Sequence, residues 1–307
     1  MWTRTETPVD APKMSASPNL ARRHLAYAFF VFASVLMCWP TEKALVHAGL
    51  TLEFCSQILV APFIPALLLY WRRGTVFEGA RGAYASGGIF VSVAVIVYWL
   101  ARRGIIASDS LNGLSVLALA IALIWVSGFY AAYGRTSLRA AAFPLGFLLF
   151  MIPIPTVFLN WSIYYLQWGT TAIAHSIFQL LGIPVLQRGF VLTMPGLSIE
   201  VAQECSGIRS SMALLITCLL AGFLFLRSAT KRTVLILLVL PLSILKNAVR
   251  VVTLSLLSIY VNPAFMHGDL HRDGGILFYL LALVTLFPVF RWFENIERRG
   301  SFAPPRG

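Results

Sequence analysis

The chain has 307 residues, of which 58% are hydrophobic and only 12% are charged, and its formal net charge is +12. Charged residues make up about a quarter of an ordinary soluble domain, so this composition excludes one. A large positive charge can indicate nucleic acid as a partner. The distribution of the basic residues along the chain decides whether that partner is expected here.

Apolar runs long enough to cross about 30 Å of hydrocarbon as helices recur along the sequence. They predict eight transmembrane helices, at residues 24–40, 54–71, 86–101, 111–132, 139–153, 208–226, 233–258 and 275–292. The first run follows Arg22-Arg23 and has no convincing small-residue cleavage site, which favours a retained span over a signal peptide. The expected fold class is therefore an all-α integral membrane bundle.

The two ends of the chain differ in composition from its centre. Residues 1–22 contain a segment rich in Pro, Ser, Thr and Ala, which predicts a disordered cytoplasmic tail, and residues 294–307 predict a second tail. Residues 23–293 read as one transmembrane domain, with no internal repeat and no appended soluble domain.

Lysine and arginine are concentrated in the two termini and in every second predicted loop, whereas the intervening loops carry few of them. Arg102-Arg103 is the exception to this alternation. The positive-inside rule then places both termini in the cytoplasm. Because the basic excess is explained by topology, we expect lipid around the chain and no nucleic acid as a partner.

The longest stretch between predicted spans is 154–207, which this topology places on the outer side. Residues 161–181 are apolar and aromatic, and they predict an interfacial or partly re-entrant helix. A ninth full span is the alternative, but it would reverse the later topology and disturb the alternation of charge.

A predicted hairpin follows this helix, which Gly182-Ile183-Pro184 brings to an end. Val185–Thr193 and Leu197–Ala202 resemble short strands, joined by a turn at Met194-Pro195-Gly196. The hairpin leads directly into Cys205.

Four cysteines occur in the chain. Cys38 and Cys55 fall near the outer ends of the first two spans, where an oxidising compartment would permit a disulfide; two unpaired apolar thiols are the alternative. Cys218 lies in mid-span and reads as a small buried hydrophobe. Cys205 alone has polar neighbours, Glu204 and Ser206.

Cys205, Arg250 and His271 are far apart in sequence, but the predicted topology brings them to one edge of the membrane. Cys205 precedes the 208–226 span and His271 precedes the last span. Arg250 lies about 25 Å along the seventh span from its inner end. A thiol, a fixed cation and an imidazole are the groups that a cysteine acyl-transfer enzyme requires.

The thiol and the cation each have a chemical reading. A thiolate at a helix N-terminus near a cation is stabilised, and Cys205 would occupy such a position; a lone membrane cysteine, however, is more often structural.

An arginine such as Arg250 within a span costs at least about 2.5 kcal/mol, so it should form an ion pair or serve a functional site, unless its side chain snorkels to the membrane surface. Lys246, one turn deeper on the same face, favours a polar cavity, and Asn247 could orient either cation. The forked donors of Arg250 suit an oxyanion.

His271 is a candidate general acid and base because its ordinary pKa lies near neutrality. Asp269 and Asp273 could orient its ring, and His267 could serve as the base instead. The two histidines, with Cys205 and an aspartate, would also suit zinc or copper. No HExxH motif and no second cysteine beside Cys205 accompany them, and no glycine-rich phosphate loop occurs. We therefore expect neither a metal nor another cofactor.

Three blocks of this sequence resemble the exosortase/archaeosortase family. They are Glu204-Cys205-Ser206-Gly207-Ile208-Arg209-Ser210, Asn247 followed by Arg250, and His271 ahead of Gly274-Gly275. Pro153-Ile154-Pro155 and the segment from Gly182 to Gly189 extend the likeness over about residues 25–292. Family members often have His-Asp-x-x-Gly where this chain reads His271-Arg272-Asp273-Gly274-Gly275.

The resemblance implies a polytopic cysteine transpeptidase or protease of the bacterial plasma membrane, facing outward. Such enzymes process C-terminal sorting signals, which consist of a short motif such as PEP, a hydrophobic helix and a basic cluster, and they often accompany exopolysaccharide systems. By position, Cys205 would be the nucleophile, Arg250 the oxyanion stabiliser and His271 the general acid/base. A transporter or exopolysaccharide-export component, with Lys246 and Arg250 lining an anion path, is the alternative.

Overall fold

The computed structural model describes residues 18–104, 110–203, 207–262, 264 and 275–300. Within these residues, seven helices are long and apolar enough to cross a membrane, or up to eight if one bent pair is counted as a span. The predicted class, an all-α polytopic membrane protein, is confirmed. The chain divides into two compact units, which are described separately.

The first unit comprises Met1–His47 and Ile58–Pro153. Its elements are α1 (Pro18–Met37), α2 (Trp39–Thr51), a 3-10 helix (Glu53–Leu59), α3 (Phe63–Trp71), α4 (Arg73–Val76), α5 (Tyr84–Arg102), α6 (Leu111–Ala140), α7 (Ala142–Gly146) and a second 3-10 helix (Phe147–Met151). The last four residues of α2 and most of the first 3-10 helix belong to the other unit.

Helix α6 packs against both α1 and α5, and aromatic rings fill much of its contact surface. Phe129 and Tyr133 are both fully buried, with ring centroids 4.7 Å apart, and Tyr27 meets Phe129 edge-on at 5.6 Å. At Gly128 an added Cβ would lie 2.2 Å from the ring of Phe30, so only glycine permits this approach of α1 to α6. The core of the first unit is therefore built from close apolar and aromatic packing.

The predicted span at 139–153 is wrong as a continuous helix. Helix α6 is interrupted at Gly134, whose backbone is not helical (φ 80°, ψ −175°), and a second helical piece then runs to Ala140. The next residues form only α7 and the short 3-10 helix. Pro153 and Pro155 separate these pieces from the next helix, α8 (Thr156–Leu180). Proline removes a helical hydrogen bond and restricts the residue before it.

The second unit comprises Ala48–Gln57 and Ile154–Gly307. Besides α8, its elements are β1 (Leu186–Arg188), β2 (Val191–Met194), β3 (Leu197–Glu200), α9 (Ile208–Phe225), α10 (Ala229–Leu237), α11 (Val239–Tyr260) and α12 (Gly275–Gly300). Helices α10 and α11 together give the apolar stretch Ala229–Tyr260, which contains the predicted span at 233–258.

The three strands form one antiparallel sheet in the order β1-β2-β3. The turn predicted at residues 194–196 is present, with Met194 paired to Leu197. The segment predicted as one strand, 185–193, contains two, because Gly189 adopts a left-handed conformation (φ 59°) and reverses the chain. The expected hairpin is thus extended by one strand.

One face of this sheet is buried against the helices. Leu192, Met194, Ile199 and Val201 share a core with residues of α8 and α11, namely Ala174, Phe178, Ala248, Val251 and Val252. Alternation along β2 and β3 leaves Thr193 and Ser198 exposed on the other face. The sheet therefore fixes the chain that leads towards residue 204 onto α8 and α11.

A second core joins α9, α10, α11 and α12. At one end of it, the Glu297 carboxylate accepts hydrogen bonds from the backbone N–H groups of Arg227 (2.8 Å) and Ser228 (2.9 Å), at the start of α10. An acidic side chain at a helix N-terminus is stabilising. Helix α12 is therefore tied to the turn between α9 and α10.

Cysteines 38, 55 and 218 are all buried and carry free thiols. The disulfide between Cys38 and Cys55, which the sequence permitted, is not formed. The alternative, two unpaired thiols in apolar surroundings, is the one observed.

Candidate active site

Three of the predicted site residues, Lys246, Asn247 and Arg250, lie on α11. The others lie outside the described residues: Glu204, Cys205, Ser206, His267, Asp269, His271 and Asp273. The described part of the site therefore consists of α11, the start of α9, the end of the sheet and the middle of α8.

Helix α9 begins beside Asn247. Gly207, its N-terminal flanking residue, has a left-handed backbone (φ 74°, ψ 17°). A Cβ added there would lie 3.0 Å from Oδ1 and 3.1 Å from Cγ of Asn247, so the Gly207 backbone and the amide are in close contact.

The Asn247 amide joins a third helix to this contact. Its side chain is 1% exposed, and Nδ2 donates to Oγ1 of Thr170 on α8 at 3.2 Å. Thr170 is itself fully buried. Buried polar groups of this kind hold their neighbours in one orientation. Asn247 therefore fixes α8, α11 and Gly207 relative to one another.

Lys246 attaches the first turn of α9 to α11. The residue is only 5% exposed, and its Nζ donates to Oγ of Ser210. The Ser210 hydroxyl in turn donates to the carbonyl oxygen of Gly207 at 3.0 Å. A buried ammonium without hydrogen bonds would be strongly unfavourable, which makes this link to α9 important for the local structure.

Arg250 follows one turn after Lys246 on the same face of α11. It is half-buried. At about 1.5 Å per residue, a separation of four positions places the two Cα atoms about 6 Å apart along the helix axis. The two cations therefore share one side of α11, as the spacing in the sequence predicted.

Gln167 anchors the chain on the other side of residues 204–206. Its amide, 6% exposed in the middle of α8, donates from Nε2 to the carbonyl oxygen of Val201 at 2.7 Å. The N–H of Val201 donates to Phe190 at 2.9 Å. Sequence reasoning missed Gln167 and Thr170, although a glutamine within so apolar a helix is a signal that could have indicated them.

The described side chains of this site are thus amide, hydroxyl and cationic groups, held where three apolar helices meet. Buried polar groups within apolar helices mark a candidate intramembrane functional site in this polytopic membrane protein. A family model for transmembrane exosortases matches residues 50–288. The chain belongs to the transmembrane exosortase family. Searches of curated proteins and of solved structures gave no match.

Proposed function

We propose that this exosortase is a cysteine transpeptidase or protease that cleaves PEP-CTERM-like C-terminal sorting signals of exported proteins. Membership of the family supports a membrane exosortase. One observation carries the chemical part of the proposal, which is the contact between Gly207 and Asn247. It puts the backbone two residues after Cys205 against the helix that carries Arg250.

The reaction begins with attack of the Cys205 thiolate on the scissile carbonyl carbon, which forms a C–S bond and a tetrahedral oxyanion. Arg250 donates hydrogen bonds to that oxyanion. His271, or His267 in its place, gives a proton to the departing amine nitrogen as the C–N bond breaks and a thioester remains. Water or an acceptor nucleophile then loses a proton to the same imidazole and releases the product from the thioester.

The charges on α11 support an anionic reaction centre. Lys246 donates to Ser210 in the first turn of α9, and Arg250 lies one turn further along the same side of α11. Positive charge and a helix N-terminus each favour a thiolate over a thiol. They also favour the oxyanion of the tetrahedral intermediate.

The substrate would enter the bundle sideways from the lipid, since its signal contains a hydrophobic helix, and its short motif would stop at the outer edge of the membrane. The active site would face the exterior of the bacterial plasma membrane and both termini the cytoplasm. The concentration of lysine and arginine in the termini and alternate loops supports this orientation.

A transporter or exopolysaccharide-export component is the second candidate. The specific observation in its favour is the pair of cations, Lys246 and Arg250, on one face of a membrane helix. In that case Cys205 would be dispensable and Arg250→Lys would be tolerated. Flux measurements on these two variants separate the candidates.

Replacement of Cys205 by Ala tests the proposal directly, with Cys218→Ala as the matched control, since Cys218 is a buried thiol within α9. We expect both variants to insert in the membrane, and only Cys205→Ala to leave a reporter with a C-terminal sorting signal unprocessed. Mass analysis of the wild-type protein should detect an acyl adduct on Cys205. Normal processing by Cys205→Ala would refute the cysteine mechanism.

A further inference from the structure

Val201, the residue just before the segment 202–206, is held by two backbone hydrogen bonds from two different directions. The Val201 N–H donates to Phe190 within the sheet at 2.9 Å, and the Val201 carbonyl accepts from Gln167 Nε2 at 2.7 Å. The side chain of Val201 is fully buried. Both polar groups and the side chain of this residue are therefore fixed, four residues before Cys205.

Gly207, the residue just after this segment, is held by a separate set of contacts. Gly207 lies against Asn247, and its carbonyl accepts from the Ser210 hydroxyl that Lys246 also binds. Residues 202–206 thus run between two anchors, one on α8 through Gln167 and one on α11. Precise placement of a reactive side chain requires fixed supports on both sides of it, and Val201 and Gly207 are such supports.

We propose that Gln167 is a positioning residue, whose hydrogen bond to the Val201 carbonyl sets the placement of Cys205 for reaction. The inference rests on the proposed function in one respect, namely that Cys205 is the nucleophile. Gln167 does not touch the reacting atoms in this scheme. It acts through the backbone of the connection between β3 and α9.

The surroundings of Gln167 argue for such a directional role over a general contribution to packing. The sheet is already attached to α8 and α11 by its apolar face, which includes Leu192 and Ile199. An apolar side chain at position 167 would be enough to attach the sheet to α8, and a buried amide is costly within an apolar helix. The amide adds what an apolar contact lacks, a fixed distance and direction to one carbonyl oxygen.

Gln167→Met tests this role, because methionine has a similar length and no donor. Thr171→Val is the matched control, since Thr171 is fully buried on the same helix and its hydroxyl donates only to the α8 carbonyl of Gln167, at 2.8 Å. For a reporter with a C-terminal sorting signal, we expect Gln167→Met to lower kcat about tenfold or more with KM within about twofold. Thr171→Val should leave both close to wild type.

A second measurement needs no substrate. The rate at which iodoacetamide alkylates Cys205 in the purified protein, followed by mass spectrometry, reports the environment of the thiol. We expect this rate to change several-fold in Gln167→Met and to stay constant in Thr171→Val. Equal behaviour of the two variants in both assays would overturn the proposal, and so would a rise in KM with kcat unchanged.

Gln167→Glu keeps the inference testable if the methionine variant does not fold. A protonated glutamic acid can donate to the Val201 carbonyl, whereas a carboxylate repels it. The kcat of Gln167→Glu, divided by that of the wild type at each pH, should therefore rise as the pH falls. A flat ratio would refute the role of the bond. Cys205→Ala distinguishes failure of the proposed function from failure of the role of Gln167. Full reporter processing by Cys205→Ala would refute the cysteine mechanism, whereas the effect of Gln167→Met on the alkylation rate of Cys205 would be unaffected.

Discussion

The two units bury different kinds of polar side chain. In the described part of the first unit, the buried polar residues are all hydroxyl-bearing: Ser34, Thr41, Ser115 and Ser137. Ser34 and Ser115 donate to carbonyl oxygens of their own helices, and Thr41 pairs with Tyr98 at 3.0 Å. The described part of the second unit also buries amides, an ammonium and a carboxylate: Gln57, Gln167, Asn247, Lys246 and Glu294.

This difference indicates a division of roles. In the first unit, the hydroxyl groups of Ser34, Thr41 and Ser115 bond to carbonyl oxygens or pair with Tyr98 and Trp125 of neighbouring helices. In the second unit, Gln167 bonds to Val201 and Lys246 to Ser210, one on each side of residues 202–206. Asn247, which lies against Gly207, bonds to Thr170 of α8. We therefore expect substitutions in the second unit to change processing, and comparable substitutions in the first unit to change only stability.

The largest effect is expected from Arg250→Lys, which keeps the charge but loses the forked donors. Loss of one oxyanion donor typically lowers kcat by about 100-fold or more, and we expect a loss of that order in reporter processing. Arg227→Lys, an exposed arginine beyond the other end of α9, is the control and should have no effect. Near-normal processing by Arg250→Lys would favour the anion-path alternative.

Gly207→Ala should be the next most severe. Its Cβ would lie 3.0 Å from Asn247 Oδ1, and the left-handed backbone (φ 74°) adds strain. Gly182→Ala is a close control, because that glycine has φ 72° with nothing within 4 Å of its Cβ. We expect both to lose about 1–2 kcal/mol of stability and only Gly207→Ala to lose processing, by about tenfold or more. Equal processing by the two variants would show that the Asn247 contact is unimportant.

Lys246→Met and Ser210→Ala test the link between α11 and the first turn of α9. A hydrogen bond to a charged group contributes about 1.5–3 kcal/mol, and the two substitutions should therefore be coupled by about 1 kcal/mol or more in a double-mutant cycle. Denaturant unfolding in detergent measures the four free energies. Additive effects would mean that the bond does not contribute to stability.

The first unit also has a side-chain hydrogen bond between two helices, and we expect it to affect stability but not processing. Trp125 Nε1 donates to Ser34 Oγ at 2.8 Å, between α6 and α1. We expect Ser34→Ala to lower the free energy of unfolding by about 1 kcal/mol and to leave the processing rate per folded molecule unchanged. A lower rate at equal amounts of folded protein would contradict the division between the two units.

The smallest effect is expected at Glu42 on α2, where burial raises the pKa of the carboxyl above its ordinary value of 4.5. Because the folded state favours the neutral form, the associated stability is fully present below the ordinary pKa and is lost as the pH rises through the raised one. Glu42→Gln should flatten that part of the stability profile, as measured by thermal unfolding across pH. An unchanged slope would exclude Glu42 as its source.

Much of the fold follows from local pattern. The apolar runs predicted the positions of most long helices, because a chain in hydrocarbon must satisfy its backbone within the segment. The spacing of Lys246 and Arg250 likewise predicted that both lie on one face of α11, since the helical period is a local property. The fifth span failed because proline and glycine near Pro153 interrupted a run whose hydropathy alone favoured a helix.

The sequence predicted the residues of the candidate site, and only the tertiary structure revealed the contacts among them. The sequence predicted which residues bear the chemistry, namely Cys205, Arg250 and His271, with Lys246 and Asn247 in support. It did not indicate that Gln167 reaches Val201, or that Gly207 lies against Asn247. In a membrane protein nearly every helix face is apolar, so hydropathy does not specify which faces meet. Packing of small residues and hydrogen bonds between particular polar groups makes that choice, and only the tertiary structure displays it.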